Sequence, residues 1–165
     1  MSFQSFFSDL ASTILGGTIL TLMFFLAKEK WFPTPHITGR WYFEQSTELT
    51  KYKPFEKMTL QFVAMIYFNG NRVEGTFEKI YENSSTGERE YNEKDRTRGM
   101  ISGYIEKNYI KKDQVYLHLV ENGHGRESSA VQELTYQRRS TMSGTFTSMV
   151  AEQAGTVRWQ RSSFR

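Results

Sequence analysis

Cysteine is absent from the 165-residue chain, which excludes disulfide bonds, thiolate metal sites and a cysteine nucleophile. Proline is scarce, with three residues, and the formal net charge is only +3. Because proteins that bind a DNA or RNA polymer usually carry a larger, clustered basic excess, the composition argues against that class. Charge is also missing from one stretch, since no Asp, Glu, Lys or Arg lies between Asp9 and Lys28.

The uncharged stretch predicts a transmembrane helix. Residues 10–27 are just long enough to cross a hydrocarbon core of about 30 Å, and residues 6–8 extend them. A cleaved signal peptide and a buried helix of a soluble protein are the alternatives. A signal peptide is disfavoured because no basic residue precedes the run and no small-x-small cleavage site ends it. Lys28 and Lys30 follow the span, so we expect a single-pass membrane protein with a cytoplasmic C-terminal domain.

Small residues spaced four apart occur inside the apolar run. Such spacing lets two membrane helices approach closely, and it predicts self-association in the bilayer. The alternative is that small residues are simply common in membrane helices. A Pro-Thr-Pro linker then divides the chain into an anchor, residues 1–35, and a second domain, residues 36–165. The residues of the predicted helix interface are Ser12, Thr13, Gly16, Gly17 and Thr21.

The second domain alternates apolar and polar residues, as half-buried strands do. Residues 58–68 show the pattern over eleven positions, and Asn69-Gly70 follows as a hairpin turn. Eight such segments occur in sequence, while residues 83–98 are polar and predict a long exposed loop. The predicted fold class is therefore all-β, an eight-stranded antiparallel up-and-down barrel with one N-terminal transmembrane helix. A two-sheet sandwich is the structural alternative.

Glycines inside the strand patterns favour the barrel, because closure requires strongly bent strands. They are Gly39, Gly75, Gly103, Gly144 and Gly155.

The segment Gly39-Arg40-Trp41, at the start of the first strand, resembles the opening signature of lipocalins. That resemblance implies that Trp41 closes one end of the barrel beneath an arginine of the last strand. Arg158 and Arg161 are available for this role.

Catalytic and metal-binding motifs are not found. The three histidines, His36, His118 and His124, share no metal-ligand spacing, and no H-E-x-x-H, G-x-S-x-G or phosphate-binding P-loop is present. The chain is therefore predicted not to be an enzyme and to need no cofactor and no metal.

Polar residues at inward-facing strand positions predict a ligand site. An inward cation is costly to bury unless it is paired, and cations beside aromatic rings fit an anionic ligand that carries flat rings. Strand-end residues whose side chains reach solvent are the alternative. The predicted ligand-binding residues are Lys79, Tyr81, Gln132, Tyr136, Arg138 and Arg161.

One membrane segment followed at once by a glycine-rich barrel resembles the transmembrane β-barrel effectors of bacterial CBASS antiphage defence. The resemblance extends from the apolar run at residues 10–27, through GRWYF at residues 39–43, to VRWQR at residues 157–161. It implies that the barrel binds a cyclic dinucleotide, and that binding drives homo-oligomerisation in the lipid bilayer of the inner membrane, membrane disruption and cell death. Members of that family often have two membrane helices, whereas this chain shows one.

Two other functions remain open from the sequence. A membrane-anchored, lipocalin-like carrier of an apolar or lipid ligand would have an apolar lumen. An assembly scaffold would have a filled barrel and bind no ligand.

Overall fold

A computed structural model describes residues 3–31, 35–92, 94–123, 126–137 and 140–164. The chain forms two compact units, residues 1–34 and residues 35–165. The first contains helix α1 (Phe3–Trp31). Its segment Phe7–Lys28 is long and apolar enough to cross a membrane, and residues 7–26 are all exposed. The described residues therefore include one helix of the predicted kind.

The second unit is a closed antiparallel barrel. Eight strands pair in a ring in chain order, one short strand lies outside the ring, and the last strand pairs again with the first. The predicted eight-stranded barrel is confirmed, and the two-sheet sandwich is excluded because the ladder has no break. The strands are β1 (Gly39–Leu49), β2 (Thr59–Asn69), β3 (Arg72–Ser84), β4 (Gly87–Glu90), β5 (Arg98–Glu106), β6 (Gln114–Gly123), β7 (Arg126–Gln137), β8 (Thr141–Ser148) and β9 (Gln153–Gln160).

The short strand β4 lies within the segment that the sequence predicted as a loop, so that prediction was wrong for part of residues 83–98. β3 is longer than its apolar alternation, and β4 pairs with its far end, where Ser84 lies opposite Gly87. Gly87 has a φ of 108°, a value that favours glycine, and so permits the tight turn. All four residues of β4 are exposed and none is apolar, so no alternating apolar pattern predicts the strand.

Aromatic rings fill the middle of the barrel. Phe43 stacks on Phe62 with ring centroids 4.5 Å apart and on Trp159 at 4.2 Å. Phe77 meets both Phe43 and Phe62 edge to face, at 5.9 and 5.5 Å. Edge-to-face contacts of this kind are among the favourable geometries for aromatic pairs. The described interior positions at this level are therefore occupied by side chains.

Close backbone approach at interior glycines bends the strands. A Cβ atom at Gly144 would lie 1.8 Å from the carbonyl oxygen of Glu133 on β7. One at Gly103 would lie 2.0 Å from the carbonyl oxygen of Tyr116 on β6. Only glycine fits where a neighbouring strand comes so near.

Replacing Gly144 by alanine is expected to lower the free energy of unfolding by about 1–3 kcal/mol or more, because backbone must move to admit the methyl group. Gly70→Asn is the control, since Gly70 has open space around it and a φ of 68° that asparagine tolerates. Urea unfolding of both variants measures the effect. Equal stability of the two variants would contradict the bend.

Candidate functional site: a groove at one end of the barrel

One end of the barrel, called here the Trp41 end, is closed by Trp41 and Arg161. Trp41 is fully buried, and its Nε1 donates a hydrogen bond to the carbonyl oxygen of Ile37 at 2.6 Å. The Arg161 guanidinium lies 4.0 Å from the centre of the Trp41 ring. It also donates to the carbonyl oxygens of Arg40, at 2.9 Å, and His36, at 3.2 Å. Of the two arginines available in the sequence, Arg161 is thus the one that packs on Trp41.

Two further predicted residues lie at the Trp41 end. Gly39 has a φ of 109°, and a Cβ there would lie 3.2 Å from Nη1 of Arg161. Tyr136 is partly buried against the core and interacts electrostatically with Arg161. Burial lowers the pKa of the Arg161 guanidinium from its ordinary value. Since arginine nevertheless stays charged in proteins, Arg161 packs as a cation on the face of the Trp41 ring.

A groove of about 970 Å³ lies at the opposite end, called here the groove end. Its walls come from the second half of β3, from β4 and the segment after it, from the end of β6 and the start of β7, and from the chain between β8 and β9. The lining residues are Lys79, Arg89, Glu90, Tyr91, Asp95, Thr97, Glu121, Gly123, Glu127, Ser128, Ser129, Met149, Val150 and Ala151.

Lys79 is the most enclosed cation of the groove, with a side chain only 16% exposed. Its Nζ lies 3.3 Å from a carboxylate oxygen of Glu121 and 3.9 Å from one of Glu82. It also lies 5.7 Å from the centre of the Tyr91 ring. The ammonium is therefore paired, as a half-buried charge must be.

Tyr91 and Thr97 extend this polar cluster. The Tyr91 hydroxyl donates to Oε2 of Glu82 at 2.9 Å, and the Thr97 hydroxyl donates to Oε1 of Glu121. Burial, reinforced by the bond to Glu82, raises the pKa of Tyr91 above its ordinary value. The phenol therefore stays protonated at neutral pH, and it presents both a flat ring and a fixed hydroxyl.

Carboxylates outnumber cations in the lining. Arg89 and Lys79 are the two cations, against Glu90, Asp95, Glu121 and Glu127. Such a lining can bind phosphate oxygens at two places and can accept hydrogen bonds from amino or ring N–H groups at several others. Among the described residues, no group of three or more metal-ligating side chains comes together.

A β-bulge on β3 lies directly after Lys79, a lining residue of the groove. Lys79 pairs with Phe62, whereas Tyr81 pairs with Gln61, so that Ile80 is left without a partner across the ladder. An extra residue of this kind breaks the strict alternation of inward and outward side chains. The parity that placed Lys79 inside consequently does not extend to Tyr81.

The pairing assigns Tyr81 to the outer face of the barrel. Its partner Gln61 lies opposite Glu44 on β1, and the Gln61 amide donates to the Glu44 carboxylate at 2.8 Å. Directly paired residues share one face of a sheet, and Glu44 alternates with the buried Phe43. Tyr81 is itself buried, at 5% exposure, yet it lies outside the core cluster. Glu82 takes the inward position instead.

Gln132 is fully buried in the middle of β7. Its Oε1 accepts a hydrogen bond from Nε1 of Trp159 at 2.8 Å. Within the described part of the chain, its Nε2 has no hydrogen-bond partner. The residue therefore supports the aromatic core and holds one unsatisfied donor there.

The six predicted ligand-binding residues do not form one set. Lys79 lies in the groove, Tyr81 on the outer face and Gln132 in the core. Tyr136 and Arg161 lie together at the Trp41 end, and Arg138 lies outside the described residues. The residues that alternation missed are Arg89, Tyr91 and Glu121, two of which belong to the segment predicted as a loop.

The predicted helix interface lies on the exposed surface of α1. The hydroxyls of Ser12 and Thr13 donate to the carbonyl oxygen of Asp9, at 3.1 and 2.8 Å, and the Thr21 hydroxyl donates to that of Gly17 at 2.8 Å. Nothing lies within 4 Å of a Cβ built at Gly16 or Gly17. The polar groups of this stripe are thus satisfied within their own helix, as an apolar medium requires.

Comparison with known proteins supports the fold and goes no further. No protein-family model matches the chain, and no curated protein matches it. A solved structure that is similar is a redesigned β-barrel, mFAP1, bound to DFHBI, with a TM-score of 0.54 and 14% sequence identity. The match covers 76% of this chain and 94% of that one. The class of protein defined here is accordingly a closed antiparallel barrel with an apolar N-terminal helix.

Proposed function

We propose that the chain is a membrane-anchored effector of the CBASS type, whose barrel binds a cyclic dinucleotide at the groove end. The observation that carries the proposal is a groove of about 970 Å³ that holds two cations and a flat ring, at one end of a barrel whose other end is closed. The volume is in the range of small-molecule sites. The apolar, exposed helix α1 supplies the membrane anchor.

Each part of such a ligand would have a counterpart among the lining residues. Arg89 and Lys79 would contact the two phosphates, and the Tyr91 ring would stack on a base. Carboxylates such as Glu90 and Glu127 would accept hydrogen bonds from base amino groups, as acidic side chains do elsewhere. A ligand with amino-bearing purines is therefore favoured over one that carries only uracil.

Ligand binding would act through self-association. A ligand that binds a clustered form more tightly than the single chain shifts the population toward the cluster. The stripe at Ser12, Gly16 and Gly17 on α1 would then let two helices approach within the inner membrane. Clusters of this kind would disrupt the bilayer of an infected cell.

The first test is binding by the full chain in detergent micelles. At a ligand concentration a hundredfold above Kd, a ligand specific for the native state adds about 2.7 kcal/mol of stability. We expect cyclic di-GMP or cyclic GMP-AMP to raise the melting temperature and cyclic di-UMP to raise it less. Unchanged melting with every cyclic dinucleotide would contradict the proposal.

Arg89→Gln tests the groove itself. One charge-assisted hydrogen bond contributes about 1.5–3 kcal/mol, so we expect the Kd for the cyclic dinucleotide to rise roughly ten- to a hundredfold. Arg89 is exposed on β4, so the fold should persist. Lys51→Gln is the control, because Lys51 is likewise an exposed cation but does not line the groove. Calorimetry on both variants should show the loss for Arg89→Gln alone.

Topology is tested by a reporter fused to the C-terminus that is active only in the cytoplasm. We expect activity in the natural chain because Lys28 and Lys30 follow the span. Moving the charge, by Lys28→Gln and Lys30→Gln together with Gln4→Lys and Ser5→Lys, should invert the chain and abolish reporter activity. Activity that is unaffected by the exchange would contradict the assigned orientation.

The filled interior favours a second candidate function, an assembly scaffold that binds no ligand. Phe43, Phe62 and Trp159 occupy the middle of the barrel, where a lipid carrier would need space. A scaffold would form clusters in membranes without any added nucleotide. Cross-linking in vesicles, with and without cyclic dinucleotide, separates the two functions.

A further inference from the structure

The loop between β5 and β6, residues 107–113, projects apolar side chains into solvent. Ile110 is 97% exposed and its neighbour Tyr109 is 48% exposed. A single exposed apolar residue is ordinary on a protein surface. Ile110 differs from such a residue because lysines and tyrosine rings are exposed at the same end of the barrel.

The loop is held in shape by one acidic residue. Nζ of Lys107 lies 2.8 Å from Oδ2 of Asp113, and Oδ1 of Asp113 accepts a hydrogen bond from the backbone N–H of Asn108 at 2.9 Å. Both carboxylate oxygens of Asp113 therefore interact with residues of the loop itself. Lys111 and Lys112 are both exposed, and neither forms an ion pair with a carboxylate of the described residues. The tip therefore presents an aliphatic and an aromatic side chain beside two free positive charges.

Exposed tyrosines also lie on the outer face of the same barrel end. Tyr67, near the end of β2, is 72% exposed. Tyr104 on β5 is 49% exposed and stacks on Tyr116 of β6, with ring centroids 5.1 Å apart. Tyrosine is enriched at membrane–water interfaces, where its ring meets the headgroups and its hydroxyl stays hydrated.

The loop also lies at the end where the chain enters the barrel. β5 and β6 meet at the Trp41 end, and the barrel unit begins there with Pro35 and His36. The carbonyl oxygen of His36 accepts a hydrogen bond from Arg161. The residue that precedes this unit by four positions is Trp31, the last residue of α1. A membrane contact at this end is thus continuous along the chain with the apolar helix.

We propose that the 107–113 loop docks on an anionic lipid surface, with Ile110 and Tyr109 at headgroup depth and Lys111 and Lys112 on the negative headgroups. Shallow insertion of apolar side chains combined with lysine attraction to anionic lipids is how interfacial segments bind membranes. The inference rests on the proposed anchoring by α1 and adds a second membrane contact. It orients the groove end, with its ligand site, toward the aqueous phase.

The absence of cysteine makes the test direct, because one introduced thiol is the only one in the chain. Ile110→Cys in the full chain is labelled with an environment-sensitive fluorophore and reconstituted into phosphatidylcholine vesicles with or without phosphatidylglycerol. Thr86→Cys is the control, since Thr86 is an exposed turn residue at the groove end. We expect the label at residue 110 to shift to shorter wavelength with phosphatidylglycerol and to be quenched by a nitroxide carried on lipid, and the label at residue 86 to do neither.

The pair Lys111→Gln and Lys112→Gln, in the labelled Ile110→Cys chain, should remove the dependence on phosphatidylglycerol. Chains that float with the vesicles while the label at residue 110 stays in water would overturn the loop contact and leave the anchoring by α1 intact. Chains that fail to float would overturn both. A shift of equal size in pure phosphatidylcholine would overturn the role of the two lysines.

Discussion

Trp41→Ala is expected to lower the free energy of unfolding by about 3–5 kcal/mol, the range for a fully buried large ring. The substitution removes the ring beneath the Arg161 guanidinium and the edge-to-face contact with Trp159, whose ring centroid is 6.3 Å away. It also leaves the Ile37 carbonyl without its donor. Denaturant unfolding of the full chain in detergent measures the loss.

Two further variants separate the parts of this effect. Trp41→Phe keeps a ring for Arg161 but not the N–H, so its cost should fall well below that of alanine. Tyr67→Ala removes a ring that is 72% exposed and should cost little. A Trp41→Ala chain as stable as the Tyr67→Ala chain would show that the Trp41 end is not closed by this residue.

Phe43→Ala is expected to cost about as much, again 3–5 kcal/mol, and to open a dry apolar cavity. Phe43 is fully buried between Phe62 and Trp159, so little can collapse into the space. Engineered apolar cavities of this size bind benzene. Benzene should therefore raise the melting temperature of the variant and leave the natural chain unchanged.

Phe43→Leu keeps most of the side-chain volume, so its free energy of unfolding should lie between those of Phe43→Ala and the natural chain. If Phe43→Ala lost no stability, the barrel would already hold a lumen, and a carrier of apolar ligands would become the better function. Benzene stabilisation of the natural chain would point to the same conclusion.

Most of the barrel was predictable because strand alternation is a local property. The alternation from Met58 to Phe68 predicts a half-buried strand, and the interior glycines predict the bends. Neither prediction requires knowledge of other parts of the chain. The lipocalin-like opening also placed Trp41 at a barrel end. These predictions agree with the structure because each feature is determined by residues that are close in sequence.

The ligand site was less predictable because it depends on register. One residue without a register partner on β2, Ile80, sends Tyr81 outward and brings Glu82 inward, and nothing in the local sequence marks the bulge. Tyr91 enters the groove only because β4 folds back on β3, so its partner Glu82 lies nine residues away. Alternation carries no information about either event.

Pairing between β1 and β9 has a consequence for biosynthesis. About a hundred residues separate these strands, so a ribosome that adds about 5–20 residues per second needs roughly 5–20 s to make the second after the first. Until then β1 has one edge without a hydrogen-bonding partner, and such an edge pairs readily with another strand. Neighbouring nascent chains can therefore exchange strands, and how often they do will depend on how closely ribosomes follow one another on the message.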